Sequence, residues 1–227
     1  MKQLVLVSLM LIAGRVLGQT TAAQSNPFLM KIDEMGRVLP NVGKDNVKGF
    51  PFLHEVTAKG WVKLKNGNRV SGFDLQVDLY NNALYFIFNG QYYQFAEPVA
   101  ECQLAFPDND DSLRYQFRTG YPVFRDRPAT TLYQVLADGP RYQLLNYIRK
   151  NKVDIATYGT TINQEYKQTS EWYLYDVQTQ QLQPVSKKTN PATVIRHPLL
   201  AAYVQQAGKP KTEQDWLTLL NYINMHE

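Results

Sequence analysis

The sequence predicts an α+β protein, mostly β, in which an antiparallel meander sheet is closed by two short C-terminal helices. Three observations carry this expectation. Phe73, Leu75, Val77 and Leu79 alternate with Asp74, Gln76, Asp78 and Tyr80, the period of a half-buried strand. Turn pairs recur at short intervals, at Asn66-Gly67, Asn81-Asn82, Asn89-Gly90 and Asp138-Gly139. Asn-Gly suits a two-residue hairpin because both central positions of a type I′ turn need positive φ. The period changes only near the end, where Leu199, Leu200, Tyr203 and Val204, then Trp216, Leu219, Leu220 and Ile223, fall on helix faces.

Residues 1–18 read as a cleavable signal peptide. A basic start at Lys2 precedes the apolar run Leu4 to Ala13, and Val16 and Gly18 suit the −3 and −1 positions of a cut before Gln19. The run is half of the roughly 20 residues that a permanent bilayer span needs, so no transmembrane span is expected. Residues 19–48 are polar and aperiodic and read as a flexible N-terminal arm. Residues 49–227 read as a single β-rich globular domain.

Within that domain, the segment from Trp61 to Leu64 turns at Asn66-Gly67 into Arg69-Val70, and the meander continues through Phe73–Leu79, Ala83–Phe88 and Gln91–Phe95 to the strand around Cys102. Later strands are expected at Leu113–Phe117, Thr131–Leu136, Tyr142–Ile148, Glu171–Tyr175 and Gln181–Gln183. Residues 150–170 fit either a strand pair or a longer loop. Gly208 and Pro210 end the first helix, and Thr212 with Asp215 forms a weaker capping box for the second.

The supply of reactive residue types is thin. Cys102 is the only cysteine, so no intramolecular disulfide forms, and about 200 residues bury enough surface without one. Ala100, Cys102, Leu104 and Phe106 alternate with other residues, which turns the thiol inward. His54, His197 and His226 are far apart, and none has a metal ligand at the required spacing. The acidic stretch Asp108, Asp110, Asp111 lacks the glycine and distal glutamate of a calcium loop and reads as a solvated turn. No serine stands in a G-x-S-x-G frame and no glycine loop cradles phosphate, so catalytic residues stay unassigned and no metal or cofactor is expected. Without the signal peptide, 22 basic face 20 acidic residues, a net charge of +2 with no basic stripe, which argues against nucleic acid.

Aromatic residues are plentiful, with 15 tyrosines and 3 tryptophans. Tyr92, Tyr173 and Tyr175, with Trp172 beside them, form the candidate binding set. Tyrosines on an outward strand face offer flat, amphipathic contact area, although sheet formation alone also favours them.

The stretch Lys59 to Gly67, continuing through Asp78-Leu79-Tyr80-Asn81-Asn82 and Leu84-Tyr85-Phe86, resembles a family of uncharacterised exported proteins of Bacteroidetes. Glu97-Pro98-Val99, Trp172-Tyr173-Leu174-Tyr175 and Leu220-Asn221-Tyr222 extend the likeness over most of the chain. The resemblance implies export to the periplasm, outer surface or exterior of a Gram-negative cell and implies no activity. The function expected from the residues is a non-enzymatic envelope module that binds a protein or a glycan. The alternatives are a hydrolase using dispersed carboxylates with His54, and a carrier of small apolar ligands around Phe86 and Phe88. Asp74 and Asp78 share one strand face, a spacing that an exposed polar face explains without activity.

Overall fold

A computed structural model of the chain describes residues 35–40, 42–43, 46–107, 112–155 and 163–226. The proposed signal peptide, residues 19–34 of the arm and the acidic stretch Asp108 to Asp111 lie outside the described residues. Elements follow in the order β1 (Gly36–Leu39), β2 (Val47–Lys48), β3 (Lys59–Leu64), β4 (Arg69–Ser71), β5 (Asp74–Asp78) and β6 (Ala83–Phe88). Then come β7 (Gln91–Phe95), β8 (Val99–Pro107), β9 (Ser112–Arg118), β10 (Tyr133–Asp138), β11 (Tyr142–Ile155), β12 (Asn163–Asp176) and β13 (Gln181–Val185). Two helices, α1 (Leu200–Ala207) and α2 (Glu213–Asn224), close the chain. The fold is mostly β with antiparallel sheets and C-terminal helices, as expected. No helix among the described residues is long and apolar enough to cross a membrane.

The hairpins form where the turn pairs stand, but only Asn89-Gly90 has positive φ at both positions. At Asn66-Gly67, Gly67 alone does, in a longer loop closed by the Leu64 N–H on the Asn68 carbonyl. The strands do not make one meander. β5, β6 and β7 leave to form a four-stranded sheet of order β1-β7-β6-β5. β8 returns to pair with β3, and the larger sheet runs β13-β12-β11-β10-β9-β8-β3-β4, with β2 added in parallel to β12. Burial on both faces explains the separation. Leu75, Val77, Leu84 and Phe86 pack on Val62, Cys102, Leu104, Phe117 and Ile148 of the larger sheet. Gln76 and Asp78, on the other face of β5, are buried as well. That face lies against the segment before β3: Leu53 donates its backbone N–H to Val77, Gln76 Nε2 donates to the His54 carbonyl, and Phe52 stacks on Tyr92.

The expected arm is partly built into this core. Met35 is buried, β1 pairs antiparallel with β7, and Gly36 has no room for a Cβ beside the Gln94 carbonyl and the Phe86 ring. Residues 150–170 resolve the open choice in favour of strands: β11 and β12 pair continuously from Tyr142↔Asp176 to Ile155↔Asn163, with 156–162 outside the described residues.

The helices pack on the same side of the large sheet as the small one, further along β11. Trp216, Leu219, Leu220 and Ile223 meet Tyr142, Leu144 and Leu174. The capping box forms in both directions, Asp215 N–H donating to Thr212 Oγ1 and Thr212 N–H to Asp215 Oδ2. Cys102 lies on the inner face, fully buried, and burial pushes its thiol up to about 12. The expected result is that an aromatic disulfide reagent leaves the native protein untouched and labels one thiol after denaturation. Labelling of the folded protein within minutes would refute this placement.

Candidate functional site

The structure does not gather the candidate tyrosines on one exposed face. Tyr92 belongs to β7 of the small sheet and stacks on Phe52 with centroids 5.7 Å apart. Trp172 faces the helices. Tyr173 and Tyr175 share the outer face of β12, but the segment 119–132 crosses that face and covers it. Tyr173 is fully buried, and Tyr175 is half-buried with its ring edge-on to Tyr121 at 5.0 Å. Alternation places residues on a common face; it does not say whether another segment covers that face.

What covers them is a charged aromatic cluster. Buried Arg127 lies 3.9 Å above the Tyr147 ring, bonds the Tyr173 hydroxyl and reaches Glu171 Oε2 at 2.9 Å. Burial opposes ionisation of Glu171, but hydrogen bonds from Tyr173 and Arg127 outweigh it and hold the carboxyl below its ordinary range. This cluster fastens the covering segment to the sheet. The Tyr133 hydroxyl is buried beside the same guanidinium, and burial raises its pKa against the opposing pull of Arg127.

The hydrolase candidates are also dispersed. His54 Nε2 is 3.0 Å from the Tyr115 hydroxyl, and its ring packs on Phe106 at 4.4 Å. Asp78 is buried and accepts from the backbone N–H groups of Tyr80 and Asn81 and from the Tyr85 hydroxyl, so it caps a turn. Asp74 pairs with Lys59 at 2.7 Å. His197 Nδ1 accepts from the Leu199 N–H at 3.3 Å, a local turn contact just ahead of α1. Among the described residues no three ligand-type side chains cluster for a metal ion. A groove of about 380 Å³ beside the Asn81-Asn82 turn is lined by Glu97, Thr119, Thr130 and Leu132. Its polar rim, with Asn82 bonded to the Leu132 backbone, does not resemble the closed apolar cavity of a carrier.

The residues that do come together occupy the outer face of β3, β4, β8, β9 and the adjoining ends of β10 and β11. Because Val62, Cys102, Leu104 and Phe117 point inward, their neighbours point outward in register. One row runs Arg69, Lys63, Glu101, Arg118; the next runs Ser71, Trp61, Gln103, Gln116.

Hydrogen bonds lace these rows together. Arg118 grips Asp138 with both terminal nitrogens, at 3.0 and 2.7 Å, and Glu101 at 2.9 Å. Asp138 first, against the cost of burial and with help from Glu101, raises the Arg118 pKa above its ordinary value, so the guanidinium stays charged. Gln143 Nε2 donates to Asp138 at 2.8 Å, and the Tyr121 hydroxyl donates to Gln143 Oε1 at 2.9 Å. Gln116 donates to Glu101, and Trp61 Nε1 donates to Gln103 Oε1 at 2.9 Å. Arg69 lies 4.1 Å over the Trp61 ring.

The result is a half-exposed polar face about six strands across, roughly 24 Å at the usual strand spacing. Sequence reasoning overlooked these side chains because polar residues opposite a core face usually just meet solvent. The available signal was their register: Glu101 and Gln103 alternate with Cys102, and Gln116 and Arg118 flank Phe117. No family model matches the chain, and neither a curated protein nor a solved structure is significantly similar to it.

Proposed function

We propose that the chain is an exported, non-enzymatic binding module of the cell envelope, and that its ligand is an extended chain laid across the outer face of β4-β3-β8-β9. The observation that carries this reading is the pre-ordered hydrogen-bond network on that face. Side chains already held in place lose little entropy when a ligand arrives. The charged groups at its centre are engaged with one another, as positioning groups are; a general acid or base needs to be free to exchange a proton with a substrate. The resemblance to exported Bacteroidetes proteins supports the envelope address.

Cosedimentation with a Gram-negative envelope fraction tests the reading. The purified protein is expected to pellet with the fraction, and the pair Trp61→Ala with Gln103→Ala to reduce the bound amount at least fivefold without changing the far-ultraviolet circular dichroism spectrum. Equal pelleting by the folded variant would remove the face from consideration.

A further inference from the structure

We infer that the ligand of this face is an acidic polysaccharide, a chain of sugars bearing carboxylates. The inference rests on the reading of the face as a binding surface and adds the chemistry of what it binds.

The first support is the distribution of charge. Lys63 and Arg69 stand directly opposite each other on β3 and β4. Like charges at such cross-strand positions destabilise a sheet, so folding alone does not favour the pair. Among the described residues no carboxylate is in salt-bridge contact with either of them. Glu101, the acid opposite Lys63, is held by Arg118 instead. Arg69 is steadied by the Trp61 ring, which orients the guanidinium and leaves its charge uncompensated. Two cations side by side on adjoining strands, one of them oriented by an indole ring, are complementary to an anionic polymer.

The second support is the adjoining row. Gln103 and Gln116 are cross-strand partners. The Trp61 indole N–H is a donor only, so Gln103 must turn its carbonyl oxygen to it, and its amide nitrogen remains to donate. Glu101 accepts one of the two N–H groups of the Gln116 amide, which leaves the other N–H to donate and the carbonyl oxygen to accept. Spare amide donors and acceptors are therefore carried by two side chains whose Cβ atoms stand about 5 Å apart as a cross-strand pair. Neighbouring hydroxyls on a sugar ring, each able to donate and accept, match that pair. A run of carboxylates along the same sugar chain matches Lys63 and Arg69 beside it.

Three polymers separate the possibilities: polygalacturonate, neutral dextran and polyglutamate, each titrated calorimetrically with the purified protein. Polygalacturonate is expected to bind, dextran to bind at least tenfold more weakly, and polyglutamate likewise. Lys63→Glu with Arg69→Glu, both at exposed or rim positions, should lower polygalacturonate affinity at least tenfold, and Gln103→Ala about threefold. Equal binding of polyglutamate would mean that the face reads charge alone and would overturn the saccharide assignment. Equal binding of dextran, unaffected by charge reversal, would overturn the acidic part. If none of the three binds while envelope cosedimentation still depends on Trp61 and Gln103, the ligand class is wrong and the binding face stands. If cosedimentation is independent of those residues too, both readings fall.

Discussion

Gly60→Ala is expected to cost about 3 kcal/mol of stability, lowering the melting temperature by roughly 6–12 °C for a domain of this size. Gly60 lies in β3 at the point where that strand meets β8, paired with Leu104. A Cβ there would fall inside the Gln103 carbonyl oxygen and against the Leu104 Cα, which are backbone atoms of the adjoining strand. Backbone atoms of a ladder cannot swing aside as a side-chain tip does, so β3 and β8 would have to separate locally. Trp61, the next residue, would shift with them, and its bond to Gln103 with it. Thermal unfolding followed by circular dichroism measures the loss. A melting temperature within 2 °C of the parent would show that the two strands do not approach as closely as described.

Asn224→Ala should destabilise the protein by about 3 kcal/mol through a different mechanism. Asn224 is the last residue of α2 and reaches β11 with both ends of its amide. Its Oδ1 accepts from the backbone N–H of Tyr142 at 2.9 Å and of Arg141 at 3.2 Å, and its Nδ2 donates to the Tyr142 carbonyl at 2.9 Å. Tyr142 is fully buried, so removing the amide strands main-chain groups away from water. A leucine would fill the space and leave those groups unpaired, so Asn224→Leu should not rescue. Gly139→Ala attacks the same junction from the other side, because its new methyl would overlap the Asn224 amide. The two substitutions together should therefore cost clearly less than the sum of their separate effects. Additivity within about 0.5 kcal/mol in urea titrations would mean that Gly139 and Asn224 act independently.

Parts of the candidate site are legible in the order of residues alone. The inward path of Cys102 and Leu104 is an alternation over a few residues, and it implies that Glu101 and Gln103 face the other way. What could not be read is that Gln116 and Arg118 stand beside them, since that pairing depends on the register of β8 against β9. Arg118 reaching Asp138, 20 positions onward, depends on β10 as well. The tyrosines show the converse. Tyr173 sits on the face that its alternation requires, yet Arg127, 46 positions earlier, closes over it and removes it from the surface.

The sequence by itself determined the local structure: hairpins at Asn66-Gly67, Asn89-Gly90 and Asp138-Gly139, a buried Cys102, and the capped helix from Thr212 with Trp216 and Leu220 inward. Each depends on residues within about one turn or one strand of one another, where alternation, capping and, at Asn89-Gly90, the preference for positive φ act directly. Only the tertiary structure decided that β5 to β7 form a separate sheet, that the chain from Met35 belongs to the core, and which strand face stays open. Those outcomes are set by contacts between segments 20 to 100 residues apart, as when Lys150 Nζ donates to the Phe50 carbonyl across the sheet junction. Apolar burial drives such contacts without direction, so the pattern in any one strand is compatible with several partners until all of them pack together.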